Sequence, residues 1–453
     1  MNGRMRDRTA GIAVAMGIGL AGAGARGQDW PEVFDPAWLV PLNLSMDDAD
    51  WTTIQNDETF DVEVPAMLWA DGEKPILVSV RRKSADPLRN GTSFSKVSLK
   101  IDINEFVDDQ LWHGLAAVSL ENGDDIDVVT EGFAWFMHRS ASGPEGYDLE
   151  APAGLANWAT LTINGEYTGV YANTEQRDKQ FLRNRGLWQS GETWMYEVED
   201  INGPPELKEG DGDSPTYLAL CYRPFREDCA TPPPEVLAAE LPQYIEMQTL
   251  LTMGAVTSFC ADPDHVFSKG KNFHFADWAT GRKRQYYPWD LDSSFSNPEG
   301  YDIYSERSWY SQILLNVPEF RAQYSQIFND LLCGPLSAET LTGFLDAVEP
   351  VLADALAADP NSNISDSIPE HFDKLRAKAA ARVDEVKGMI EGFTECDAAC
   401  TPDWNADGRV DTLDFLAYLN DWSARNPRAD LNEDGVVNTQ DFLVFLNLWS
   451  AGC

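Results

Sequence analysis

The sequence predicts an α+β protein of two lobes, followed by a small all-α module built on paired calcium loops. Three observations predict it. Alternating, strand-like segments crowd the stretch from Asp50 to about Phe106, and Trp158 to Val170 reads as a hairpin. Helical segments run from Val236 to Phe259 and dominate from about Trp309 to Phe393. Two near-identical loops rich in Asp and Asn follow residue 396. Strands first and helices later give segregated layers rather than a βαβ alternation.

Composition sets the outer limits. A chain of 453 residues has room for two or three domains, and 43% hydrophobic residues suit a packed core. Asp and Glu number 74 against 34 Lys and Arg, a net charge of -40. That balance argues against nucleic acid and anionic membranes as partners and favours bound cations. Arg4, Arg6 and Arg8, an apolar run from Ala10 to Ala23, and Ala23-Gly24-Ala25 form the three parts of a secretory signal. Residues 1–27 are therefore expected to be a signal peptide, and the protein to be exported or held at a cell surface. No other stretch approaches membrane-spanning length. The seven cysteines are consistent with disulfides outside the cell. Cys221 and Cys229 flank a short loop, and Cys396, Cys400 and Cys453 bracket the last module. The odd count leaves one thiol over, Cys260 or Cys333.

Residues 28–49 read as a linker, 50–395 as the main domain with a helical part from about 305, and 396–453 as the final module. Within the main domain Phe60 to Val64 and Ile76 to Val80 alternate as strands do. Lys96 to Ile101 alternates strictly, which places Lys96, Ser98 and Lys100 on one face and Val97, Leu99 and Ile101 on the other. Val128 to Arg139 is expected to be helical. Asn164-Gly165 between alternating runs is a hairpin signal. Residues 200–235 read as an inserted loop, Val236 to Phe259 as helix, and Phe273 to Tyr287 as two strands about Thr280-Gly281. The helical remainder is broken by a polar loop at Asp359 to Ser367.

The final module repeats itself at an offset of 27 residues. The first loop offers Asp403, Asn405, Asp407, Arg409, Asp411 and Asp414. The second offers Asp430, Asn432, Asp434, Val436, Asn438 and Asp441. Oxygens at loop positions 1, 3, 5, 9 and 12, a backbone carbonyl at position 7 and Gly408 or Gly435 at position 6 make a cage for Ca²⁺. Each loop runs into the same helix, Asp-Phe-Leu-x-x-Leu-Asn-x-Trp-Ser. The Asp at position 12, where an EF-hand carries Glu, resembles dockerin modules. That resemblance implies two Ca²⁺ ions and a cohesin-like or cell-surface docking partner.

Three clusters mark the main domain. They are Val80-Arg81-Arg82-Lys83 with Lys96 to Asn104; Asn164-Gly165-Glu166-Tyr167-Thr168-Gly169-Val170-Tyr171 with Glu175; and Asp264, Lys271-Asn272-Phe273 and Pro288-Trp289-Asp290-Leu291-Asp292. Their order resembles the spore coat protein H (CotH) kinase family, an atypical protein-kinase-like fold, over roughly residues 50–330. The resemblance implies transfer of the γ-phosphoryl of ATP, with Mg²⁺ or Mn²⁺, to Ser or Thr of a secreted or surface protein. Phosphoryl transfer needs cations on the phosphates, a metal held by oxygens, and a base for the incoming hydroxyl. Lys100 or Lys96 can meet the phosphates, and Glu131 can pair with that lysine. Asp290, Asp292 and Asn272 can hold the metal. Asp264 is the candidate base, with Asp262 as its competitor. Where the family carries phosphate-loop glycines, this chain has Lys83-Ser84 and an insertion through Asn90-Gly91. No P-loop, GxSxG or HExxH motif is present. Two other readings stay open: a kinase-like scaffold without catalysis, and a dockerin-bearing hydrolase acting on carbohydrate.

Overall fold

A computed structural model describes residues 29–83, 88–89, 95–142, 153–199, 204–220, 225, 229–394, 396, 402, 404, 410, 412–432 and 436–451. The predicted signal segment lies outside them. The chain divides into two compact units, one ending at Phe393 and one beginning at Thr394.

The first unit opens with β1 (Val40–Ser45), α1 (Asp48–Asn56), β2 (Val64–Ala70) and β3 (Ile76–Arg82). A two-residue pair follows, β4 (Leu88–Arg89) and β5 (Ser95–Lys96), then β6 (Leu99–Asp102), β7 (Ala117–Glu121), α2 (Val128–Ala141), β8 (Ala156–Ile163) and β9 (Glu166–Glu175). Seven of these strands close a barrel in the order β1-β2-β3-β6-β7-β9-β8. The expected α+β character is present, and the first half takes the form of a closed barrel. The segment expected to be a linker supplies the closing strand. Val40, Leu42 and Leu44 of β1 turn inward, and β1 pairs antiparallel with β2 and parallel with β8. Closure removes both sheet edges. Phe60 to Val62 is not strand either: the Asp57 carboxylate collects the amides of Thr59 and Val62 into a turn, and β2 starts only at Val64.

Asn164 and Gly165 take positive φ, 51° and 86°, as a primed hairpin turn requires. Four residues on, Gly169 sits at a register shift between β8 and β9 with φ +133°.

The chain then forms α3 (Lys179–Asn184), β10 (Thr193–Val198), β11 (Glu206–Glu209), α4 (Pro215–Ala219), α5 (Pro234–Tyr244) and α6 (Met247–Phe259). Next come β12 (Phe273–Trp278), β13 (Gln285–Pro288), α7 (Trp309–Leu314), α8 (Pro318–Leu332), α9 (Ala338–Ala358) and α10 (Ile368–Lys387). A second sheet runs β11-β10-β12-β13. The supposed inserted loop thus contributes an edge strand and a short helix. Helix α6 is buried on all sides, which marks it as a core helix.

The loop between α9 and α10 returns to the barrel and latches there. Lys96 Nζ lies 3.3 Å from Asp359 Oδ2, and each side chain is only 1% exposed. The same Asp359 oxygen accepts from the Val170 amide at 2.9 Å, and Asn361 Nδ2 donates to the Thr168 carbonyl at 2.8 Å. Gly169 leaves the room for this contact, since a Cβ there would stand 2.3 Å from Asp359 Oδ1. The most distinctive sequence motif of the domain is therefore a docking seat for the helical part. Of the two thiols left over by count, Cys260 is free and buried, whereas Cys333 is disulfide-bonded, as are Cys229 and Cys396.

In the second unit α11 (Thr412–Ala424) and α12 (Thr439–Ala451) pack through an aromatic stack. Tyr418 and Phe445 lie 3.9 Å apart, with Trp404 edge-on to both.

Two outcomes follow from the packing. Asp359→Ala strands the Lys96 charge in the interior and should cost about 3–5 kcal/mol in chemical denaturation, and a loss under about 1 kcal/mol contradicts the latch. The buried His138 of α2 has its pKa pushed down to about 3, first by burial and then by Arg177. The unfolded chain therefore takes up the proton first, and stability is lost as pH falls from about 6.5. His138→Gln should flatten that loss, and identical pH slopes in both proteins contradict it.

Candidate functional site

The hairpin of β12 and β13 builds the centre of the site. Phe273 is paired with Pro288, so Asn272, just before β12, and Asp290, just after β13, meet although 18 residues apart. Asn272 Nδ2 donates to Asp290 Oδ2 at 3.1 Å. Both residues hold positive φ, 59° and 55°, a conformation that costs non-glycine residues energy and persists where the surroundings impose it.

Trp289 fixes the approach to Asp290. Lys83 Nζ lies 4.9 Å from its ring and the Arg177 guanidinium 5.3 Å. His274 stands edge-on at 5.6 Å. Arg177 also donates to the Pro288 carbonyl at 3.1 Å. The chain then turns through Leu291–Phe295, and Ser294 Oγ donates to Asp262 Oδ2 at 2.7 Å. Asp262 in turn accepts the Asp264 amide at 2.8 Å. The Ser294–Asp262 bond thus ties the segment that carries Asp262 and Asp264 to the turn that carries Asp290 and Asp292.

The barrel supplies the opposite wall. Lys83 follows β3 on the same face as Arg81, and Arg81, Lys100 and Ser119 are neighbours in register. Lys83 Nζ contacts the Glu121 carboxylate and Ser119 Oγ. Glu131, in the first turn of α2, is 2% exposed, and its Oε2 has no hydrogen-bond partner.

Charge crowding shows in the acidities. Burial, then the Glu121, Asp292 and Asp290 charges, push Glu131 well above the ordinary carboxylate range. Asp292 is pushed up to about 9 by loss of water, then by Asp290 and Asp125. Asp290 is open to solvent, yet crowding by protein atoms and by Glu121 lifts it to about 6 against Lys83 and Lys271. Asp262 also rises to about 6 through burial. Asp264 differs. Lys269 and Lys271 both touch it, the latter at 3.1 Å, and they outweigh burial to hold its carboxyl low.

Of the residues expected from sequence, the structure brings together Asn272, Asp290, Asp292, Glu131 and Asp264. Lys96 lies in the latch, buried against Asp359. Lys100 pairs with Asp102 at 2.7 Å, and Glu131 makes no ion pair with either lysine. Glu175 is neither surface nor site, since Arg185, Trp30 and the Leu155 amide saturate it inside the fold. Sequence reasoning missed Lys83 and Glu121. Extending the β3 alternation by one residue points to Lys83; nothing local marks Glu121. Asn90-Gly91 lies outside the described residues.

Among the described residues no three His, Cys, Asp or Glu side chains gather closely enough to hold a metal ion unaided. The donor set still fits Mg²⁺ or Mn²⁺. It offers carboxylates and an amide, uncompensated negative charge, and an orphaned buried oxygen. Magnesium is usually held by one or two carboxylates, with the rest from water and phosphate.

In the C-terminal unit Asp403, Asn405, Asp407, Arg409, Asp411 and Asp434 lie outside the described residues. Asp414 and Asp441, the last position of each loop, are fully buried. Asp441 accepts the amides of Asn438, Leu431 and Asn432, which hold its carboxyl low. Asp430, Asn432 and Asn438 stand around the same loop.

The chain thus joins a mixed α/β domain, in which a barrel faces a hairpin-borne Asn–Asp pair, to a small helical tail. The profile of the CotH kinase protein family matches residues 90–391, and that of the dockerin type I domain matches residues 401–447. The chain belongs to the CotH kinase protein family. No curated protein matches it. Among the described residues no helix is long and apolar enough to cross a membrane.

Removing calcium from the full chain with a chelator should speed amide exchange in α11 and α12 while α6 stays protected. Unchanged exchange in both tail helices contradicts calcium-dependent order.

Proposed function

We propose that this chain is an exported phosphotransferase that moves the γ-phosphoryl of ATP to Ser or Thr of a secreted or surface protein. The observation that carries the reading is the Asn272–Asp290 contact, set by the β12–β13 register beside a lysine. In this reading Asp290, Asp292 and Asn272 hold the metal, which supplies charge neutralisation to the phosphates when bound. Lys83 leaves Glu121 to meet phosphate oxygen. Trp289, clasped between Lys83 and Arg177, keeps Asp290 aimed. Asp264 takes the hydroxyl proton; its two lysines keep it ionised, and Asp262 orients its backbone. Positioning and electrostatics supply most of the rate in such chemistry. The family match favours this over glycoside hydrolysis. The dockerin-type tail supports a cohesin-like or surface partner, with two Ca²⁺ ions, one per loop.

Transfer of label from γ-labelled ATP with Mg²⁺ or Mn²⁺ tests the reading. Asp290→Asn, Lys83→Met and Asp264→Asn should each slow transfer by at least about 10²-fold, and Lys100→Met by much less. Nucleotide binding without transfer in wild type would instead mark a scaffold. Neither binding nor transfer contradicts the kinase reading altogether.

A further inference from the structure

In the site above, the lysine nearest the carboxylates is already engaged. Lys83 Nζ is bound by Glu121 and Ser119, both on β7, so its ion pair lies within the barrel. Nothing in that arrangement calls for a second acid from α2. Glu131 is nevertheless held in place there. Asp127 caps α2 through the amides of Val129 and Thr130, and His371 Nε2 lies 3.1 Å from Asp127 Oδ1. The capped first turn carries Glu131 inward to 2% exposure with Oε2 unpartnered. The charges acting on it are Glu121, Asp292 and Asp290, ahead of Lys83. A buried carboxylate oxygen with no donor costs several kcal/mol unless a cation or proton meets it.

We infer that Glu131 is a cation ligand rather than the partner of the phosphate-binding lysine. Asp292, shared between two sites, would join Glu131 in holding a second divalent ion on the barrel side, beside the one at the Asn272–Asp290 pair. Its shell would be completed by water and phosphate oxygens, as a hard cation with few protein ligands requires. The inference rests on the phosphotransferase reading for the nucleotide but concerns a property measurable without it.

The two roles predict opposite behaviour. A lysine partner, once neutralised, leaves a charge uncompensated and destabilises the fold. A vacant cation ligand, once neutralised, relieves repulsion in the metal-free protein and weakens metal binding. The experiment titrates Mn²⁺ into the full chain, with the tail loops filled by Ca²⁺, and reads free Mn²⁺ by electron paramagnetic resonance. Thermal midpoints are taken without Mn²⁺. Glu131→Gln should keep or raise the metal-free midpoint and weaken Mn²⁺ binding at one site by at least about tenfold. Glu131→Asp should weaken it less. Asp290→Asn should remove a different site. If Glu131→Gln binds Mn²⁺ as wild type does while Asp290→Asn does not, the inference fails and the phosphotransferase reading stands. If neither variant changes Mn²⁺ binding, both fail. A Glu131→Gln chain that unfolds or melts several degrees lower also overturns the inference, because it shows the carboxylate to be structural.

Discussion

Like charges crowded together resist ionising all at once unless a cation joins them. Glu121, Glu131, Asp262, Asp290 and Asp292 share such a space, with Lys83 in direct contact and Lys271 at the edge. That imbalance is the constraint on which the account of this protein depends. A fold that only needed stability would have replaced several of these groups with apolar ones. The raised pKa values of Glu131, Asp262, Asp290 and Asp292 mark a place prepared for positive charge.

The rest of the unit can be understood as the frame that imposes the crowding. The barrel fixes Lys83, Lys100 and Ser119 on one outer face. The β12–β13 hairpin fixes Asn272 against Asp290. The α9–α10 loop, pinned through Asp359, Lys96 and the Gly169 seat, ties the helical part to the barrel that bears half the site. Where the hairpin ends converge on the site, Asn272 and Asp290 both hold positive φ.

Much of this was legible in the sequence. Alternation gave β3, β6 and the β8–β9 hairpin, Asn164-Gly165 gave the turn, and the doubled Asp-rich loops gave the tail. Asn272, Asp290 and Asp292 were legible through the resemblance of their motifs to the CotH family, and the short-range pairing of β12 with β13 sets Asn272 against Asp290. What was hidden depends on long-range contact. The closing role of β1 needs β8, more than a hundred residues away. The loss of Lys96 to the latch needs Asp359, 263 positions on. Glu121 becomes meaningful only when β7 is laid beside the end of β3. A period of two shows which face a residue takes, and it cannot show what that face will meet.

The most direct test is crystallographic. Crystals of the full chain grown with Mn²⁺ and a non-hydrolysable ATP analogue should show anomalous density within bonding distance, about 2.0–2.3 Å, of the Asp290 carboxylate, with phosphate oxygen bridging toward Lys83. Mn²⁺ confined to the tail loops, with nucleotide absent from the space between Lys83 and Asp290, would contradict the account.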